Sequence, residues 1–201
     1  MTPTIIFGHS LGGEIGIMTT AYHPELVKAL IIGDAPLSRT VLFEHLNKQR
    51  DMTKQWLDWA RSGSLENITT ELKNMMIPVP EKDHFVKASE VFGENHPWFD
   101  SMALSLSLSQ NDPDMLTSVF EDYERTFAQY HPDKLLSSIK CPVLIIRGGQ
   151  EKGSLIPDVD VAHALTLLAN GKEIKIPHVG HALFMEDKDA VVKEILEFLK
   201  Q

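Results

Sequence analysis

The sequence predicts an α/β fold: a parallel sheet with helices on both faces, interrupted by an all-helical insert. Three observations carry this. Short apolar runs of β-formers occur near the two ends of the chain, in TIIFG, LVKALIIG and CPVLII. Helix-sized segments with short connections join them. Between about 37 and 137 no apolar β-rich run is found, and apolar residues recur instead at three- and four-residue spacing.

Taken in order, residues 4–8 read as a short buried strand and 12–22 as a helix opening on glycines. Residues 28–33 read as a second buried strand, stopped by Asp34-Ala35-Pro36. Strand, helix and strand with short connections make the two strands parallel neighbours. Helical stretches follow at about 40–61, 65–76, 83–92, 98–109 and 113–130. Ser64 and Asn67 form a loose capping box before the second. In the last, Met115, Leu116, Val119, Phe120, Tyr123 and Phe127 make the apolar stripe. IPVPEKD, GENHP and QNDPD punctuate these helices. The buried-strand pattern resumes at 142–147. VDVAHALTLLANG reads as a helix with Gly171 as its C-cap. KEIKIP is a short strand, HVGHALF a loop and DKDAVVKEILEFLKQ a closing amphipathic helix. The expected organisation is a core built from 1–36 and 138–201, with 37–137 inserted.

The 201 residues are enough for one domain carrying an insert. Hydrophobic content of 43% and charged content of 23% are those of an ordinary globular chain. With 19 basic against 28 acidic residues the net charge is −9, which argues against a nucleic-acid surface. No apolar run approaches the ~20 residues of a membrane span. No basic region followed by an apolar core opens the chain, so the expected location is cytoplasmic. The single cysteine, Cys141, reads as a small buried hydrophobe. The sequon Asn67-Ile68-Thr69 is accidental in that compartment. No HExxH spacing or Cys/His cluster suggests a metal, and no GxGxxG suggests a dinucleotide, so no cofactor is expected.

The chemistry-bearing pattern is Gly8-His9-Ser10-Leu11-Gly12, between a β-run and a helix. A serine hydroxyl is a poor nucleophile until a base takes its proton, and the base must itself be oriented. A sharp strand-to-helix turn presents Ser10 at the helix amino end, where developing negative charge is favoured. Gly8 and Gly12 leave room for such a turn, and the Leu11 N–H becomes an oxyanion donor. His181, in a loop between the last strand and last helix, is the candidate base. His178 reads as a surface or supporting residue. By strand alternation His9 points away from the serine and packs. His45, His84, His131 and His163 read as helix-surface or turn residues. Two carboxylates compete to orient the base: Asp34, ending the strand after the turn, and Glu151, in RGGQE after a later strand. Asp158 and Asp160 are weaker candidates.

These motifs resemble the carboxyl-terminal portion of an α/β-hydrolase-fold protein. GHSLGG resembles its nucleophile elbow, ALIIGDAPL the next strand and loop, and CPVLIIRGGQE the strand that often carries the acid. IPHVGHALFMEDKDAVVKEILEFL resembles the histidine loop and final helix. The resemblance covers about half the chain, and the order Ser, acid, His agrees with it. It implies that 37–137 is a helical cap or lid. Glu151 holds the commoner acid position, where the family usually has Asp. Asp34 holds a position that some members use. The expected activity is hydrolysis of a small carboxylic ester through an acyl-enzyme on Ser10.

In the family several strands precede the elbow, whereas here the elbow follows the first predicted strand. Those strands, and the loop giving a second oxyanion N–H, have no counterpart in this sequence. TIIF becomes an edge strand, apolar on both faces, which invites pairing. The expectation is a homo-oligomer through this strand, or completion by another chain. The competing reading is a non-catalytic scaffold that binds an apolar ligand or a partner chain.

Overall fold

The computed structural model describes residues 2–78, 84–95, 99 and 104–200. Strand β1 (Thr4–His9) leads into helix α1 (Leu11–Tyr22), a 3₁₀ turn (Pro24–Leu26) and strand β2 (Val27–Gly33). Helices α2 (Arg39–Lys48), α3 (Arg50–Ser62) and α4 (Leu65–Asn74) follow. Strands β3 (Met76–Pro78) and β4 (Phe85–Lys87) come next. After them lie α5 (Ala88–Phe92), α6 (Leu104–Ser109), α7 (Pro113–Glu121) and α8 (Tyr123–Thr126). The chain continues with α9 (Pro132–Ser138), β5 (Val143–Gly148), α10 (Asp158–Leu167), β6 (Gly171–Ile176) and α11 (Leu183–Phe198).

Four strands form one parallel sheet in the order β1-β2-β5-β6. Strands β2 and β5 sit in its centre and are apolar on both faces, as a doubly covered parallel sheet requires. On one face Ala29, Ile31, Leu144, Ile146 and Ile176 pack against Leu183, Val191 and Phe198 of α11. On the other, α1 lies so close that Gly16 stands against Leu30 and Ile6. Helix α9 packs beside α1, and α10 beside α9. Cys141, just before β5, is half-buried, and burial pushes its thiol up.

Met1–His45 with Phe127–Gln201 make one compact unit, and Leu46–Thr126 a second. The second is centred on Trp59, Ile68, Leu72, Ala88, Phe99 and Leu108. A smaller cluster joins Leu57, Ala60 and Leu116. The Ser64 cap forms as expected, its hydroxyl accepting the Asn67 N–H at 3.3 Å.

Three expectations change. The segment between the core halves is not all-helical, because β3 and β4 pair antiparallel from Met76↔Lys87 to Pro78↔Phe85. Three residues per strand are too few to show a two-residue period in the sequence. Of the helix expected over 83–92, residue 83 lies outside the described residues and Phe85–Phe92 are β4 followed by α5; of the helix expected over 98–109 the residues 98 and 100–103 lie outside the described residues. Gly171 does not cap α10, which ends at Leu167 with Leu168 as cap. Gly171 opens β6 instead, where a side chain would crowd Leu168 and Leu165.

Candidate active site

Strand β1 keeps its ladder up to the serine, whose N–H reaches the Gly33 carbonyl at 2.9 Å. There the chain turns sharply: Ser10 has φ 53° and ψ −127°, a strained conformation for a non-glycine residue. The Ser10 carbonyl then accepts the Gly13 N–H at 2.7 Å and the helix begins. A Cβ on Gly8 would collide with the Gly12 carbonyl. One on Gly13 would stand 2.5 Å from Ala35 Cβ. Gly12 faces open space. The glycines that make room are therefore Gly8 and Gly13, not Gly8 and Gly12.

Asp34 ends β2 in a second unusual conformation, φ 42°, with its N–H on the Ile146 carbonyl at 2.8 Å. Its carboxylate is fully buried. Oδ1 accepts the Ser154 hydroxyl at 2.5 Å, and Oδ2 accepts the Leu155 N–H at 3.0 Å. The third donor is His181 Nδ1, 2.8 Å from Oδ2. A carboxylate opposite Nδ1 assigns that nitrogen the proton, leaving Nε2 to accept. Nε2 stands 3.1 Å from Ser10 Oγ. One chain of hydrogen bonds thus runs from the serine through His181 to Asp34.

The structure brings Asp34, and not Glu151, to the imidazole. Glu151 is exposed in a 3₁₀ turn over Gln150–Lys152. Its loop still serves the site, because Ser154 and Leu155 are the donors that hold Asp34. Asp158 pairs instead with the buried Arg147 and with Lys175. Asp160 lies in the first turn of α10. Leu11 is the first residue of α1, so its N–H has no acceptor within the helix.

The His181 loop is fastened at several points. Glu186 accepts the Gly180 N–H at 2.8 Å and the Ala182 N–H at 3.2 Å. Val179 O accepts the Gly149 N–H at 2.8 Å. His9 adds a contact that strand alternation misassigned. Its Nε2 donates to the His181 carbonyl at 2.7 Å, and the two rings lie 4.7 Å apart. Alternation fails because the ladder gives way to the elbow directly after His9. Burial holds the His9 imidazole below the ordinary histidine value. The His45 ring stands 6.2 Å from that of His181, closer than a helix-surface reading implies. His178 lies at the surface and pairs with Asp187 at 2.7 Å.

A buried acid also escaped the sequence reading. Glu14 is 4% exposed, its Oε2 has no hydrogen-bond partner among the described residues, and burial raises its pKa to about 8. A glutamate in the first turn of a helix reads in sequence as a solvated residue that complements the dipole.

A family model described as the alpha/beta hydrolase fold matches residues 2–188. The chain belongs to the α/β-hydrolase fold family. Solved structures of this fold resemble it over nearly its whole length. One is a putative lipase from Acinetobacter baumannii, at 21% identity and TM-score 0.60, covering 98% of this chain and 60% of that one. A bacterial membrane phospholipase A matches at 18% identity and TM-score 0.59, over 99% of this chain and 57% of that one. A 2-hydroxy-6-oxo-6-phenylhexa-2,4-dienoate hydrolase from a Rhodococcus species matches at 13% and 0.59, over 100% and 65%. This α/β-hydrolase chain therefore spans about three-fifths of the length of the first two. At such identities the likeness is one of fold. No curated protein matches it. Among the described residues, no helix is long and apolar enough to cross a membrane. Nor do three or more His, Cys, Asp or Glu residues gather there as a metal site.

Proposed function

We propose that this protein is a serine hydrolase that cleaves small carboxylic esters through an acyl-enzyme. The observation that carries this is the hydrogen-bond chain from Ser10 through His181 to Asp34. In this reading Ser10 Oγ attacks the ester carbonyl while His181 Nε2 takes its proton. Asp34 holds the imidazole in the tautomer that accepts at Nε2, and stabilises the imidazolium that forms. The Leu11 N–H, at the positive end of α1, stabilises the oxyanion. His181 then protonates the leaving alkoxide, and water releases the acid by the same steps in reverse order. No cofactor enters this scheme.

The segment 37–137 is read as an inserted cap, and the location as cytoplasmic. The lipase and phospholipase neighbours agree with an ester substrate, while the equally similar dienoate hydrolase makes a carbon–carbon substrate the competing reading. A fluorophosphonate probe tests the reaction. Covalent labelling of the wild type, absent in Ser10→Ala, is the expected result. A folded wild type that never labels would instead favour a non-catalytic scaffold. A panel of short-chain p-nitrophenyl esters then ranks the acyl group.

A further inference from the structure

The residue before the nucleophile carries a role that the scheme above does not use. His9 ends β1 and Ser10 follows it directly, at the start of α1. Ser10 meets the side chain of His181, whereas His9 meets its main chain. One two-residue unit therefore touches both ends of the base. The His181 carbonyl accepts from His9 Nε2 at 2.7 Å, and the rings stack at 4.7 Å with planes 33° apart. The Glu186 carboxylate takes the N–H groups of Gly180 and Ala182 on either side of His181 in the chain. The peptide groups around His181 are thus held by side chains from β1 and from α11.

We propose that His9 is a positioning residue: it ties the His181 main chain to the strand that carries Ser10, and so sets the distance between nucleophile and base. This rests on the hydrolase reading above. The physical case is the sensitivity of proton transfer to distance. The acceptor nitrogen must lie within hydrogen-bond reach of the hydroxyl, and displacements of about 1 Å can cost about 100-fold. A loop residue such as His181 is not placed to that tolerance by its own backbone, and Ser10 itself supplies only the bond that must break during reaction. The His9 bond is made to a main-chain oxygen and persists through every proton transfer. Its ring is half-buried, and that burial disfavours a second positive charge beside the imidazolium that forms on His181.

Two variants separate this role from simple packing. His9→Phe keeps an aromatic ring and removes the donor. His9→Gln keeps a donor at a similar reach and removes the ring. The rate of fluorophosphonate labelling should fall about tenfold in His9→Phe and recover most of that loss in His9→Gln, as expected for one hydrogen bond. With a p-nitrophenyl ester the loss should lie in kcat, with KM unchanged. Equal rates in all three proteins overturn the proposal. So does a folded His9→Gln as slow as His9→Phe, because the donor is then not what matters. A second readout needs no activity. In ¹⁵N-histidine NMR the His181 Nδ1 proton, held by Asp34, should exchange faster with water in His9→Phe and stay protected in His9→Gln. If the wild type is not labelled, the hydrolase reading fails, and an unchanged Nδ1 proton in both variants refutes the positioning role separately.

Discussion

Asp34 and Glu151 are both plausible in sequence because each follows a predicted strand, and distance along the chain says nothing about which loop faces the histidine. What decides is that β2 and β5 are neighbours. Their carboxyl ends lie side by side, so the loop bearing Glu151 reaches Asp34 and supplies its donors. Asp34→Asn should lower the labelling rate by about 10²–10⁴, the scale for losing the correct tautomer in such a site. Glu151→Gln should stay within about twofold of wild type, because its carboxylate is not bonded to the imidazole. Labelling kinetics on the two variants check both, and a collapse in Glu151→Gln would return the acid to that loop. Ser10, His181 and Asp34 were legible as residue types in a known order. His9, Ser154 and Glu186 were not, since their roles are contacts to main chain or carboxylate that no spacing encodes.

Helix α1 follows a tight elbow and carries a buried acid, Glu14, in its first turn. Gly8→Ala should prevent the elbow from closing, because the obstacle is backbone rather than a flexible side chain. Gly12→Ala meets nothing and should stabilise the helix by about 0.5–1 kcal/mol. Thermal melts of the two distinguish these outcomes. Glu14 adds a pH dependence. The unfolded chain releases its proton near the ordinary carboxylate value, whereas the folded chain keeps it to about 8. Between those values the folded state binds more protons than the unfolded, so stability falls as pH rises and levels off above about 8. The loss is on the order of a few kcal/mol. Glu14→Gln should show no such slope and should exceed wild type most at pH 8.5. Urea midpoints at pH 5 and 8.5 measure this, and parallel behaviour of the two proteins would assign the slope elsewhere. None of it could be read from GGEIG, since the pattern of α1 does not reveal that α9 will pack beside it.

At the scale of the whole molecule, the core was legible because its central strands are apolar on both faces, a signature that survives without knowing what covers them. The segment between the core halves was less so, because its pairing strands are three residues long. The sheet that results has two unlike edges. At one, β6 carries Lys172, Glu173 and Lys175, charges that discourage pairing. At the other, β1 carries no charge, leaves Phe7 38% exposed and half-buries Ile5 and Ile6. An open, apolar edge is a template for another strand. We propose that any association of the 201-residue chain uses β1 and not β6, with a second copy of this chain as the partner. Light scattering should show mass rising with concentration towards a dimer. Hydrogen exchange of β1 amides should slow over the same range, while that of β6 stays constant. A constant monomer mass, with exchange in β1 independent of concentration, rules self-association out. Slowing at β6 instead would mean that charge on an edge strand protects this sheet less than the comparison of its two edges requires.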